Sequence, residues 1–123
     1  MEISELVLNG ITIVTTHGDI TPDDIKDLSR KLDNICKKDN PQIILDIFNT
    51  AHISSMGLAT IANYDMITKN KHGKLILVLP SNHVDKLLHI TGLSNFLSIS
   101  NSIDEAKTII QKEMQEKKWG SIK

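Results

Sequence analysis

Short apolar runs alternate along the chain with stripes at helical spacing. Residues 3–8 (Ile3, Leu6, Val7, Leu8) and 11–16 (Ile11 to Thr16) are β-rich. Asn9-Gly10 between them is a strong hairpin signal, because both residues tolerate the positive φ of a type I′ turn. Thr21-Pro22-Asp23-Asp24 reads as a helix start: an N-cap, a proline at the first helical position and two carboxylates at the positive dipole end. Ile25, Leu28, Leu32 and Ile35 follow as one apolar stripe, with Lys37-Lys38 closing the last turn. Asn40-Pro41 breaks the chain before Gln42 to Phe48, a nearly continuous apolar run that fits a strand buried on both faces. Ser54 or Ser55 opens a second helix to about Asn70, with Leu58, Ile61, Ala62 and Met66 expected inward. His72-Gly73 ends it, and Lys74 to Leu79 is another buried strand.

Pro80-Ser81 starts a shorter helix with Val84, Leu87, Leu88 and Ile90 expected inward, stopped by Thr91-Gly92. Phe96 to Ile99 is a weak strand. Ser102-Ile103-Asp104-Glu105 matches a capping box and opens a last helix with Ala106, Ile109, Ile110 and Met114 inward. Residues 1–117 form the domain and 118–123 a flexible tail carrying Trp119. Strands alternating with helices imply right-handed crossovers. The expectation is one α/β domain: a mainly parallel sheet of four to five strands, an antiparallel N-terminal edge hairpin and about four helices.

Composition narrows what such a domain does. A chain of 123 residues with 40% hydrophobic and 24% charged residues can bury one core without disulfides or a structural metal. A formal net charge of -1 and 3% aromatic residues give neither the basic stripe nor the stacking platform of a nucleic-acid binder. A single cysteine, Cys36, rules out an internal disulfide or a CxxC pair and suits a reducing compartment. The apolar runs are far shorter than the roughly 20 residues a membrane span needs, and Met1 to Glu5 lacks the order of a secretory signal. The expectation is a cytoplasmic protein with no membrane and no nucleic-acid partner.

The common α/β chemistries lack their motifs. There is no GxGxxG, no GxxxxGK[ST] and no GxSxG, so no cofactor is expected. His17, His52, His72, His83 and His89 show no HxxH or HExxH spacing, so no metal is expected. Asp46 sits on a central strand like a phosphoryl acceptor, but the acidic pair that would hold its cation is missing after the first strand. An enzyme using Cys36 with a distant histidine has no local motif behind it.

What remains is Ile53-Ser54-Ser55-Met56-Gly57-Leu58, a strand-to-helix junction with two hydroxyls. On residue chemistry alone either serine serves as an N-cap. Here the chain resembles the STAS family, and within it the bacterial anti-sigma factor antagonists, whose pattern is apolar, Asp, Ser, then Ser, Thr or Ala, then Gly-Leu. Gly18-Asp19-Ile20-Thr21 is similar to the family's turn before its first helix, and Ile43-Ile44-Leu45-Asp46-Ile47 to its central strand. Gly73-Lys74-Leu75 through Pro80, Thr91-Gly92-Leu93 and Asp104-Glu105-Ala106 continue the match in order.

The resemblance implies a phosphoprotein in a partner switch. Ser55 is the implied phosphorylation site, with Ser54 the second candidate. The implied partners are an anti-sigma factor that is a serine kinase and a PP2C-type phosphatase. The unphosphorylated form would capture the anti-sigma factor and free the sigma factor. Asp19, Thr21, His52, Ser54, Ser55, Met56 and Gly57 are expected at the docking surface, because loops after parallel strands crowd one end of a sheet. The sequence departs from the pattern in Ser54, where the family has Asp, and in Met56, where it has a small residue. The alternative is a constitutive STAS scaffold with no phospho-switch, in which both serines are caps.

Overall fold

The computed structural model describes residues 1–78 and 80–120, of which 117–120 by backbone alone. β1 (Glu2–Leu8) and β2 (Ile11–His17) form the N-terminal hairpin, with Leu8 opposite Ile11. Asn9 (φ 52°) and Gly10 (φ 80°) adopt the positive dihedrals that a two-residue turn of this hand requires. A 3-10 turn (Pro22–Asp24) leads into α1 (Ile25–Ile35), followed by β3 (Gln42–Asn49), α2 (Ser55–Asn70), β4 (Lys74–Val78) and α3 (Asn82–Ile90). A second 3-10 turn (Leu93–Asn95), β5 (Ser98–Ser100) and α4 (Ile103–Gly120) complete the order. The five strands lie as β1-β2-β3-β4-β5, antiparallel at the hairpin and parallel across the rest.

Strand periodicity divides the core in two. Val14, Ile43, Leu45, Leu75 and Leu77 cluster with Leu28 and Leu32 of α1, Leu58 and Ile61 of α2, and Val84 and Leu88 of α3. Ile11, Ile13, Ile44, Ile76 and Val78 point the other way, against Ala106 and Ile110 of α4. Three helices thus cover one face and one helix the other. That is why β3 and β4 carry apolar residues at consecutive positions.

Several expected positions shift. α1 ends at Ile35 with Cys36 as its cap, so Lys37 and Lys38 lie beyond the helix rather than in its last turn. Met66 is exposed, and the buried stripe of α2 continues through Asp65 and Thr68 instead. The Asp65 carboxylate is met by Lys69 Nζ at 2.8 Å, which also lies 4.6 Å from the centre of the Phe96 ring. Ile90 is 73% exposed, because Val84 and Leu88 already exhaust the inward face of α3. Met114 is exposed too: the next inward position after Ala106 and Ile110 is Glu113, which pairs with Lys74 at 3.0 Å. The last strand begins at Ser98, two residues after Phe96, which caps the preceding 3-10 turn.

The capping box at Ser102 is half formed. Glu105 N–H donates to Ser102 Oγ at 3.0 Å, but the Glu105 carboxylate accepts from Ser100 Oγ at 3.1 Å and not from the Ser102 backbone. The α4 backbone stays helical to Gly120, through the first part of the segment read as a tail. Residues 121–123, Leu79 and the Trp119 side chain lie outside the described residues.

Candidate functional site

The loops that follow β2 and β3 are laced together by backbone. Gly18 N–H donates to Asn49 O (3.0 Å), Ile20 N–H to His52 O (3.1 Å) and Ser54 N–H to Ile20 O (2.8 Å), with Ile20 and Ile53 forming a parallel bridge. Two buried threonines lock the base: Thr16 and Thr50 share a 2.7 Å hydroxyl contact, and Thr50 Oγ1 donates to Gly18 O at 3.1 Å. Ser81 Oγ, the N-cap of α3, donates to Ala51 O at 2.8 Å and fastens a third element. The end of the sheet is therefore a fixed platform built from polar cross-links.

On this platform the two serines have different tasks. Ser54 adopts extended dihedrals (φ −72°, ψ 160°) and its Oγ accepts from Gly57 N–H at 3.1 Å, so it is the N-cap of α2. Ser55 is the first helical residue, exposed, and its hydroxyl makes no hydrogen bond among the described residues. In the first turn the Ser55 and Met56 N–H groups have no intrahelical partner, at the positive end of the dipole. Gly57 is buried and shapes the junction from beneath. A Cβ there would sit 2.7 Å from Ile53 Cγ1 and 3.1 Å from Ile20 Cγ2, so only glycine lets the helix start this close.

The remaining expected residues surround the serines. Asp19 Oδ1 accepts from His52 N–H at 3.1 Å and lies 3.6 Å from His52 Nδ1. The His52 ring rests against His83, with centroids 4.6 Å apart. Thr21 is engaged locally, its hydroxyl and N–H both donating to Asp24 Oδ2 at 2.9 and 2.8 Å. Those bonds, the backbone one first, with the nearby N-terminal ammonium, hold the Asp24 carboxyl below the ordinary range. Exposed Met56 borders a groove of about 270 Å³ between α1 and α2, lined also by Ser29, Ala59, Thr60, Asn63 and Tyr64. Tyr64 Oη ties the two helices together, 2.5 Å from Asp33 Oδ1 and 3.1 Å from Ser29 O. Burial, then the Asp33 bond, pushes the Tyr64 phenol up to about 12.

Ser81, His83 and the Thr16–Thr50 pair are not among the site residues expected from sequence. The β4–α3 loop emerges at the same sheet end as the other two, which was the available signal for Ser81 and His83. Elsewhere, Asp46 Oδ1 accepts from Phe48 N–H at 3.1 Å, and Cys36 is buried, its thiol raised chiefly by desolvation. Among the described residues no group of three His, Cys, Asp or Glu could hold a metal, and no helix is long and apolar enough to cross a membrane.

The family profile of the STAS domain matches residues 3–106. A Thermotoga maritima protein described as an anti-sigma factor antagonist superposes with a TM-score of 0.83 at 20% identity, over 89% of this chain and 94% of its own. The anti-sigma factor antagonist SpoIIAA in its unphosphorylated form gives 0.77 at 17% identity, over 90% and 97%. The phosphorylated form of the Bacillus cell fate determinant SpoIIAA gives 0.70 at 14% identity, over 88% and 99%. No curated protein sequence matches the chain significantly.

Proposed function

Because this chain belongs to the STAS domain family, we propose that it is a non-enzymatic anti-sigma factor antagonist switched by phosphorylation of Ser55. The unphosphorylated form docks an anti-sigma factor that is itself an ATP-dependent serine kinase, and so frees a sigma factor. A PP2C-type phosphatase resets it. Docking uses the platform around Asp19, Thr21, His52, Ser54, Ser55 and Met56, with Gly57 holding the helix start in place.

The observation that carries this reading is the division of labour between two adjacent hydroxyls. Ser54 caps the helix, which leaves the Ser55 hydroxyl unbonded at the surface. A phosphate on Ser55 meets unpaired N–H groups and the favourable end of the helix dipole, so the fold tolerates it. The same group brings a charge of about −1.5 to −2 to a surface that must be desolvated on docking. Modification of Ser54 would instead remove the cap. Ser54 in place of an aspartate keeps the capping oxygen and removes a negative charge beside the phosphate.

The test is a paired capture from native lysate with wild type and Ser55→Glu, read by mass spectrometry and followed by binding measurements. The expected result is an ATP-binding kinase-like protein retained by wild type, with affinity for Ser55→Glu lower by roughly tenfold or more. Equal capture by both baits overturns the switch and leaves a constitutive scaffold.

A further inference from the structure

β1 (Glu2–Leu8) closes the sheet on one side, and among the described residues β2 is the one strand its backbone pairs with. The opposite edge, β5, is three residues long, whereas β1 offers seven. With Leu8 opposite Ile11 across a two-residue turn, Leu8, Leu6, Ser4 and Glu2 make the paired bonds to β2. The N–H and C=O groups of Ile3, Glu5 and Val7 therefore point away from the sheet. Proteins usually blunt such an edge with charge, proline, a bulge or a cover. Here Glu2 and Glu5 put charge on the first part of the strand, while Leu6, Val7 and Leu8 are 55%, 52% and 41% exposed.

We propose that a second copy of this chain covers the edge, β1 pairing antiparallel with β1 of its mate about a two-fold axis at Leu6. Outward-pointing residues must pair with outward-pointing residues, which restricts the symmetric registers. A centre at Glu5 sets two carboxylates directly opposite each other. A centre at Ser4 sets Leu6 against the mate's Glu2 and leaves Val7 and Leu8 unpaired. The centre at Leu6 pairs Leu6 with itself, Glu5 with Val7 and Ser4 with Leu8, five residue pairs in all. Leu6 and Leu8 lie on the sheet face of Ile13 and Ile11, so the four leucines of the two copies form one apolar stripe.

Charge supports the same register. On the α1 face Val7 lines a groove of about 210 Å³ with Asn34, Lys37, Lys38 and the chain's own Glu5. Neither lysine makes an ion pair among the described residues. The register sets the mate's Glu5 opposite Val7, at the mouth of this groove, where Lys37 and Lys38 outnumber the chain's own Glu5, itself held by Lys31. Lys31 holds Glu5 at 3.1 Å within its own chain, leaving the carboxylate's other side for Lys37 and Lys38 of the mate. No residue of the Ser54–Ser55 platform is used, so each dimer presents two docking surfaces.

Sedimentation of the full wild-type chain over a concentration series tests this without any variant, and a monomer–dimer equilibrium is expected. Register is tested in a Cys36→Ala background. Opposed residues in a non-hydrogen-bonded antiparallel pair have Cα atoms about 4.5 Å apart, within reach of a disulfide. Leu6→Cys therefore cross-links to itself on mild oxidation, while Ser4→Cys and Leu8→Cys cross-link only when mixed. Lys37→Glu with Lys38→Glu raises the dimer dissociation constant roughly tenfold at low salt, an effect that shrinks as salt screens the pair. A monomer at every soluble concentration overturns the proposal. So does a dimer in which Leu8→Cys alone cross-links as fast as Leu6→Cys.

Discussion

The loop end of the sheet and the N-terminal hairpin are both surface regions, but they are held by opposite means. At the loop end, backbone pairs, two buried threonines and the Ser81 anchor fix the shape from below, and a single unbonded hydroxyl at Ser55 is offered above. At the hairpin, a two-residue turn sets the register, and among the described residues the outer strand has β2 as its one neighbouring strand. The difference separates recognition from stability. On the proposed reading, chemistry at Ser55 changes binding without moving the platform, whereas the exposed edge of β1 is where the proposed second copy adds a strand.

The comparison breaks most severely at Gly57. Gly57→Val forces a branched side chain against Ile53 and Ile20, and a loss of about 1–3 kcal/mol is expected in chemical denaturation. Next comes a matched pair. Ser54→Ala removes the α2 cap, and Gly10→Ala puts a Cβ on a residue at φ 80°; each should cost about 1 kcal/mol. Only Ser54→Ala should also alter partner binding. Ser55→Ala should leave stability within about 0.5 kcal/mol of wild type while abolishing incorporation of phosphate.

The smallest effects lie in the pH dependence. Tyr64 is raised in the fold, so its neutral form is favoured there. Its stabilisation is complete below the ordinary value of 10.0 and is lost as pH rises towards about 12, as the unfolded phenol ionises first. Tyr64→Phe should remove that alkaline component of a pH–stability curve. Asp24 is depressed, so its contribution holds above the ordinary value of 3.8 and fades as pH falls through its folded value. Asp24→Asn should flatten that acid limb slightly.

How much of this was legible in the sequence depended on the range of the interactions. The hairpin and the buried strands were readable because Asn9-Gly10 and the continuous apolar runs are local signals. Met66, Ile90 and Met114 were misread because hydrophobicity alone does not say which side of a helix meets the sheet. Asp65 is buried with a partner at i,i+4 spacing, Lys69, whereas half-buried Glu113 meets Lys74, a partner that appears only in three dimensions. At the site, Asp19 meets His52, and the backbone of Ser54 joins Ile20 beside them. The sequence could not divide the roles of Ser54 and Ser55, which rest on one residue's dihedrals. Nor did it supply His83, which reaches His52 through a crossover of some thirty residues.

The strand order also bears on how the chain acquires its shape. Each strand's neighbour in the sheet is the strand made just before it. A chain leaving the ribosome can add strands one at a time to an existing edge, without holding a place open for a later segment. The Asp19–His52 contact can close once β3 and its loop have emerged, well before α4 is made. Of these elements the helix that covers the second sheet face is made last, so Ile44 and Ile76 stay uncovered until α4 has emerged.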